Sequence, residues 1–266
     1  MKLMCLNGWG GKLHSALIAY VADAKPDVLC LQEVVHSPAT DKNWLTYRDG
    51  DHVLQQRANF YRDVCRALPD HVPTFCPAAQ GDLWGGDVRI PSQWGLATFV
   101  HRKFPVIGQL QGFVHKEYSP DGYGAHPRSR SAHGVRLYDG DNDRAVSITH
   151  MHGLRDLNGK MDTPERAVQA KRLLDISKTI SRPGDFRVVC GDFNVEPGSE
   201  TLEILSDSGL VELVTRRGFI GTRNSYYKKP GKFADYLLVS DAQAVKEFDV
   251  VDDPEVSDHC PLVLRI

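Results

Sequence analysis

Polar residues able to bind a cation or move a proton recur where the apolar runs of this chain break off. Asn7 follows the run 2–6, and Glu33 closes the run 27–33. His150 follows 145–149, Asp192 and Asn194 follow 186–190, Asp235 opens 233–240, and Asp258 and His259 precede 261–266. Carboxylate and amide oxygens suit a hard divalent cation such as Mg²⁺. Imidazole and amide N–H groups can donate to a phosphate whose negative charge grows during attack. An aspartate directly before a histidine is sterically poorly placed to pair with it. His259 therefore needs another carboxylate to set its tautomer, and Asp235 is the candidate.

Each residue also has a structural reading. Asn7-Gly8 is a common turn pair, Asp192 and Asn194 can satisfy backbone groups in a turn, and Asp258 can cap one. His150 and His152 can both be satisfied histidines at a sheet edge. The number of polar residues at strand ends on a common face favours chemistry. A zinc site built from His150-x-His152 with Asp192 is the competing metal reading, and the oxygen-rich remainder argues for Mg²⁺ or Mn²⁺. There is no Gly-rich phosphate loop and no Gly-x-Ser-x-Gly elbow.

The elements that must position these residues follow from periodicity. The run 2–6 reads as a strand, Leu13, Leu17, Tyr20, Val21 and Ala24 recur at helical spacing, and 27–33 reads as a second strand. Strand, helix and strand in this order form a right-handed crossover that brings both polar ends to one sheet edge. Residues 36–59 are polar and irregular, and Phe60 to Leu68 read as a short helix. Trp94 to His101 and Phe104 to Gly108 read as strands, 115–133 as the longest loop, and 134–137 with 145–149 as a hairpin. Thr163-Pro164-Glu165 starts a helix to about Ile180, and Ser199 caps another, closed by Gly209. No linker or repeat divides residues 1–266, so a single domain is expected.

Composition narrows the function classes. The chain has 266 residues, 25% charged, with a formal charge of −2, which gives no global basic field for nucleic acid. The loop holding Arg128 and Arg130, with Tyr123 and Trp84 near in sequence, could still contact a nucleic-acid backbone and stack bases; ordinary loop residues are the alternative. The six cysteines show no zinc-type spacing, and no apolar run suggests a signal peptide or membrane span. A cytoplasmic location is the default expectation, with no membrane association and no obligate protein partner.

The order Asn7, Leu31-Gln32-Glu33, Thr149-His150, Gly191-Asp192-Phe193-Asn194, Asp235-Tyr236 and Ser257-Asp258-His259 resembles the endonuclease/exonuclease/phosphatase superfamily across residues 2–265. The resemblance implies an α/β fold, a four-layer sandwich of two mixed sheets packed face to face with helices outside. It implies Glu33 as principal metal ligand, with Asn7 and Asp258 assisting, and Mg²⁺ or Mn²⁺ as cofactor. Asp192 would orient or deprotonate the attacking water, and Asn194 would hold water and phosphoryl oxygen. His150 and His259 would stabilise the transition state, Asp235 would orient a histidine, and His152 would lie toward the rim. The expected activity is phosphoester hydrolysis of a nucleotide, short oligonucleotide or small phosphorylated metabolite. A DNA or RNA nuclease, and a non-catalytic binding module on the same fold, are the alternatives.

Overall fold

Alternation along the first strands sorts their side chains between two environments. The computed structural model describes residues 1–266. Strand β1 (Lys2–Asn7) sends Leu3 and Cys5 into one apolar cluster and Met4 and Leu6 into another. Strand β2 (Val28–His36) divides Val28 and Cys30 from Leu29 and Leu31 in the same way, as the period of two requires. Between them α1 (His14–Ala24) adds Leu17 and Val21 to the second cluster. Each of these fully buried side chains contributes about 1.5–3 kcal/mol. The helix stops at Lys25, which is left-handed and precedes Pro26. β1 and β2 pair in parallel with Asn7 beside Gln32, so both polar ends share one edge.

The chain continues through β3 (Trp44–Asp49), β4 (His52–Arg57), α2 (Phe60–Ala67), β5 (His71–Gly85) and β6 (Val88–His101). Then follow β7 (Val106–His115), β8 (Arg130–Asp139), β9 (Arg144–His152), α3 (Pro164–Ile180), β10 (Phe186–Asp192) and α4 (Glu200–Asp207). The last strands are β11 (Val211–Glu212), β12 (Asp235–Val239), β13 (Glu247–Val250) and β14 (Leu262–Arg265). One mixed sheet has eight strands in the order β13-β14-β1-β2-β6-β5-β3-β4, and the other has six in the order β11-β12-β10-β9-β8-β7. The largest cluster joins Leu3, Cys5 and Val28 of the first sheet to Val135, Ile148 and Val188 of the second, so the sheets pack face to face. Helices α1 and α2 cover the outer face of the first sheet, while α3 packs on β7, β8 and β9. The result is a four-layer α/β sandwich.

The structure departs from the sequence reading at several elements and adds β5, which periodicity does not reveal. Residues 36–59, expected to be irregular, contain the β3–β4 hairpin at a sheet edge, where only Leu45, Tyr47 and Gln56 are buried and the apolar signal is correspondingly weak. β5 pairs with β6 along 15 residues despite Pro73 and Pro77, with a bulge between Pro77 and Ala79 that absorbs the irregularity. The long loop ends earlier than expected, because Arg130 already belongs to β8. At the helix starts, Thr163 accepts from the Arg166 amide as a cap should, whereas the Ser199 side chain makes no such bond.

Candidate active site

Asn7 ends β1 on the face between the sheets, and it ties them together. Its Nδ2 donates to Glu33 Oε1 at 3.1 Å and, across the sandwich, to Asp192 Oδ2 at 3.0 Å. Its Oδ1 accepts from the Trp9 amide at 3.0 Å. By alternation Glu33 would point with Leu29 and Leu31 toward the helices. Instead its φ is +54°, and the register against β6 shifts between Leu31 and Val34. That bulge re-aims the carboxylate to the strand edge. The left-handed conformation costs on the order of 1–3 kcal/mol, and Asn194, also at φ +54°, carries the same strain.

In the second sheet the register places His152 beside Asp192 on one side and Asp235 on the other. Asp192 Oδ1 accepts from the Asn194 amide at 3.0 Å, and Asn194 Nδ2 donates to the Gly153 carbonyl at 3.4 Å. Asp235, named from the sequence as the partner of His259, meets His259 Nδ1 at 2.8 and 2.9 Å. Thr222 Oγ1 donates to Asp235 Oδ2 at 2.9 Å. This carboxylate holds the proton on Nδ1 and turns Nε2 toward Asp192 Oδ2, 3.7 Å away. Burial pushes the Asp235 carboxyl up to about 7, against the pull of Arg223, and pushes the His259 imidazole down to about 4.

Asp258 is paired with a residue the sequence reading did not single out. Arg223 Nη1 donates to Asp258 Oδ2 at 2.7 Å, with both side chains largely buried. Burial works against the Arg223 charge, but Asp192, Asp235, Asp258 and Glu33 together hold it firmly protonated. The other oxygen, Asp258 Oδ1, is buried without a hydrogen-bond partner. Glu33 is pushed up to about 7 by burial and by the charges of Asp258 and Asp192, despite the Asn7 bond. A carboxylate that resists ionising, beside an orphaned carboxylate oxygen, marks a place short of positive charge, and a hard cation fits there. Ligand atoms of Asp192, Asp235 and His259 also lie within 4.8 Å of one another, a cluster able to hold a metal ion. Both Asp235 oxygens already face His259 Nδ1, so Glu33, Asp192 and Asp258 Oδ1 are the freer oxygens.

Of the two histidines of Thr149-His150-Met151-His152, the second stands where the first was expected, and the first lies deeper between the sheets. β9 continues through His152, so both rings lie on one face and His150 sits a residue pair deeper. His150 Nδ1 accepts from Gln32 Nε2 at 3.1 Å, leaving Nε2 to donate to Thr98 Oγ1 at 2.8 Å. Thr98 passes the chain on to His133 Nδ1 at 2.7 Å. Burial holds His150 neutral, and its ring nitrogens are both committed. It therefore does not join the cluster. His152 does, with Nε2 3.7 Å from Asp192 Oδ2 and 3.9 Å from Glu33 Oε1. Burial, and after it the Arg130 charge, keeps His152 neutral too.

The arginines of the long loop also separate. Arg130 opens β8 and donates to the Gly153 carbonyl at 2.8 Å; burial lowers it to about 10, with Glu33 and Asp192 opposing. Arg128 instead pairs with Asp49 at 2.7 Å. Nothing local in Gly221-Thr222-Arg223 signals a site, because its pairing with His259 spans 36 positions.

Comparison with solved structures finds the same architecture. The mannosyl-6-phosphatase of Bacteroides thetaiotaomicron VPI-5482 superposes with a TM-score of 0.71 at 14% identity, over 100% of this chain and 98% of that one. The human Nocturnin catalytic domain, with bound sulfate, gives 0.67 at 19% identity over 99% and 93%. D. rerio TDP2 with a single-strand DNA product gives 0.65 at 13% over 99% and 97%. At these identities the likeness establishes the fold alone. No curated protein matches the sequence. The profile of the Endonuclease/Exonuclease/phosphatase family matches residues 5–259, and the chain, with its paired sheets and buried Asp192–Asp235–His259 cluster, belongs to that family.

Proposed function

We propose that the protein is a Mg²⁺- or Mn²⁺-dependent phosphoester hydrolase, a single catalytic domain acting on a nucleotide, a short oligonucleotide or a small phosphorylated metabolite. The observation that carries this reading is the meeting of Asn7, Glu33, Asp192, Asp235, Asp258 and His259 at one edge of the sandwich, with a carboxylate oxygen there left unpaired. Glu33 would be the principal metal ligand, assisted by Asp258, while Asn7, expected as a further ligand, turns Nδ2 toward Glu33 and Asp192 and its oxygen toward the Trp9 amide, and so would steady the ligands instead. The ion, when bound, would neutralise phosphate charge and polarise the phosphorus.

The hydrogen bonds support the remaining roles. Asp192, steadied by Asn7 and the Asn194 amide, orients the attacking water and takes its proton. Asn194 positions the water and a phosphoryl oxygen. His259, held by Asp235, presents Nε2 to the reacting phosphate, and His152 takes the second imidazole position in place of His150. A phosphate brings the negative charge that raises both imidazoles toward their donor form. Six unpaired cysteines fit a reducing, cytoplasmic setting, and no helix is long and apolar enough to cross a membrane.

A second reading, nucleic-acid cleavage, rests on a different observation. Residues 216–232 carry Arg216, Arg217, Arg223, Lys228, Lys229 and Lys232 and no acid. Within that segment Tyr226 is exposed and packs edge-on against Trp9 at 6.0 Å. Cations with exposed aromatic rings suit a single strand, and the TDP2 relative was solved with such a product. One assay tests both readings: purified protein with Mg²⁺ or Mn²⁺ on p-nitrophenyl phosphate, bis-p-nitrophenyl phosphate, single-stranded DNA and RNA. Activity must vanish in chelator and return with metal. Full activity in excess chelator would refute the proposal.

A further inference from the structure

A cleft of about 720 Å³ opens between β3, β5 and the loop 116–129, within the range of roughly 300–1,000 Å³ typical of ligand sites. Two stretches of chain lead from the acidic cluster to its wall. Val35, two residues past Glu33, pairs with Trp94, whose ring lies 4.4 Å from Tyr123 in the cleft wall. Arg128, also in the wall, stands two positions before Arg130, which reaches the field of Glu33 and Asp192.

The lining is neither apolar nor of one charge. Three arginines, Arg48, Arg89 and Arg128, face three aspartates, Asp49, Asp82 and Asp121. Two of each are paired: Asp49 with Arg128 at 2.7 Å, and Asp82 with Arg89 at 3.8 Å. Trp84 supplies an aromatic body, with the Arg48 and Arg89 guanidiniums 4.6 and 5.1 Å from its ring centre. The Tyr123 hydroxyl and Arg128 Nε are buried with no partner.

These features select a ligand class by elimination. A polyphosphate entering the cleft would confront three carboxylates. An apolar group would strand the charged pairs in a dry contact, which costs them their solvation. A ring bearing adjacent hydroxyls suits it, because each hydroxyl both donates and accepts. A carboxylate–guanidinium pair offers acceptor and donor side by side, and the Trp84 ring in the wall offers aromatic surface against which the C–H face of a sugar can pack.

We infer that this cleft binds the uncharged, hydroxyl-rich part of the substrate, a pyranose or comparable polyol, while the phosphoester lies at Glu33 and Asp192. The inference rests on the phosphoesterase reading for the location of the phosphate, and the cleft can be tested apart from it. The test compares wild type, Trp84→Ala and Arg89→Met on hexose 6-phosphates, methyl hexoside 6-phosphates, mononucleotides and p-nitrophenyl phosphate. Arg89 is 70% exposed in its side chain, so its variant folds even if the tryptophan variant does not; melting curves verify this.

Wild type should prefer a hexose 6-phosphate or its methyl glycoside. Each variant should lose about tenfold or more in kcat/KM on it, the loss expected for one charged hydrogen bond or stacking contact. Activity on p-nitrophenyl phosphate should stay unchanged. Free sugar phosphate against methyl glycoside distinguishes a soluble metabolite from a glycan end. Equal losses on every substrate, or a preference for mononucleotides untouched by either variant, would overturn the inference. If no phosphoester is cleaved, the phosphoesterase reading fails by itself. Calorimetry with methyl hexopyranosides then decides the cleft: binding abolished by Arg89→Met upholds it, and no binding by wild type refutes it.

Discussion

Removing Arg223 should expose how the acidic cluster is held together. Four carboxylates, Glu33, Asp192, Asp235 and Asp258, lie within its field, and it bonds directly to Asp258 at 2.7 Å. Arg223→Met keeps much of the volume and deletes the charge. A buried ion pair that loses one partner typically costs about 3–5 kcal/mol, because the other charge stays desolvated. With an unfolding entropy of about 2.1 cal/mol/K per residue, 266 residues give roughly 0.6 kcal/mol per degree, so Tm should fall by about 5–9 °C. Urea melts in chelator measure this directly, and a cycle with Asp258→Asn isolates the pair. The double variant should recover part of the loss, with a coupling energy of about 2 kcal/mol or more. Added Mg²⁺ should stabilise Arg223→Met more than wild type, since it supplies the missing charge. A loss below about 1 kcal/mol, the range of exposed pairs, would show that solvent already screens the cluster and that the argument for a cation there is unfounded.

Three further outcomes follow. His152→Ala should lower turnover on a small phosphoester by about 100-fold or more with little change in melting, whereas His150→Ala, which removes the ring's volume along with its bonds, should cost mainly stability and less turnover than His152→Ala; equal kinetic losses with unchanged melting would put His150 back at the phosphate. Asp235→Asn should leave the protein folded but reduce turnover by roughly 100- to 10,000-fold, as His259 loses its tautomer, and a loss under about threefold would refute that role. Burial would raise the Asp185 carboxyl, but Arg136, Ser147 and the Arg182 amide hold it at about 2. This depressed value contributes stability at neutral pH that disappears as pH falls from about 4 toward 2, on the order of 1–2 kcal/mol after allowance for solvent screening. Asp185→Asn should be less stable than wild type at pH 7 and converge with it near pH 2; parallel melts across that window would contradict it.

Much of this was legible in the chain because the informative signals are local. Strand ends with a polar residue, such as Asn7 and Asp192, announce both the element and its edge. Asp235 followed from a steric argument about Asp258 and His259. What escaped depended on distant pairing. Glu33 stands out in the sequence as an acid closing an apolar run, but only the bulge against β6 explains its direction. The place of His152 at the cluster turned on whether β9 runs two residues further, which its pairing to β10 decides and its own sequence does not. Arg223 gained its partner from a segment 35 positions away. The β3–β4 hairpin, polar on both faces near its turn, gives little periodicity to read.

The chain of bonds from Gln32 through His150 and Thr98 to His133 has a consequence for alignment. Apolar packing between two sheets is non-directional, so it resists separation far better than it resists sliding. The site needs resistance to sliding, because Asn7 and Asp192 come from opposite sheets and must meet to within a hydrogen-bond length. A ladder of directional contacts just below them acts as a dowel that fixes the lateral setting of one sheet on the other. Its loss would first be felt as misalignment. A variant with an apolar ring at position 150 can stay compact and cooperative in melting while its carboxylates drift apart, so in this architecture catalytic accuracy and global stability are set by different bonds.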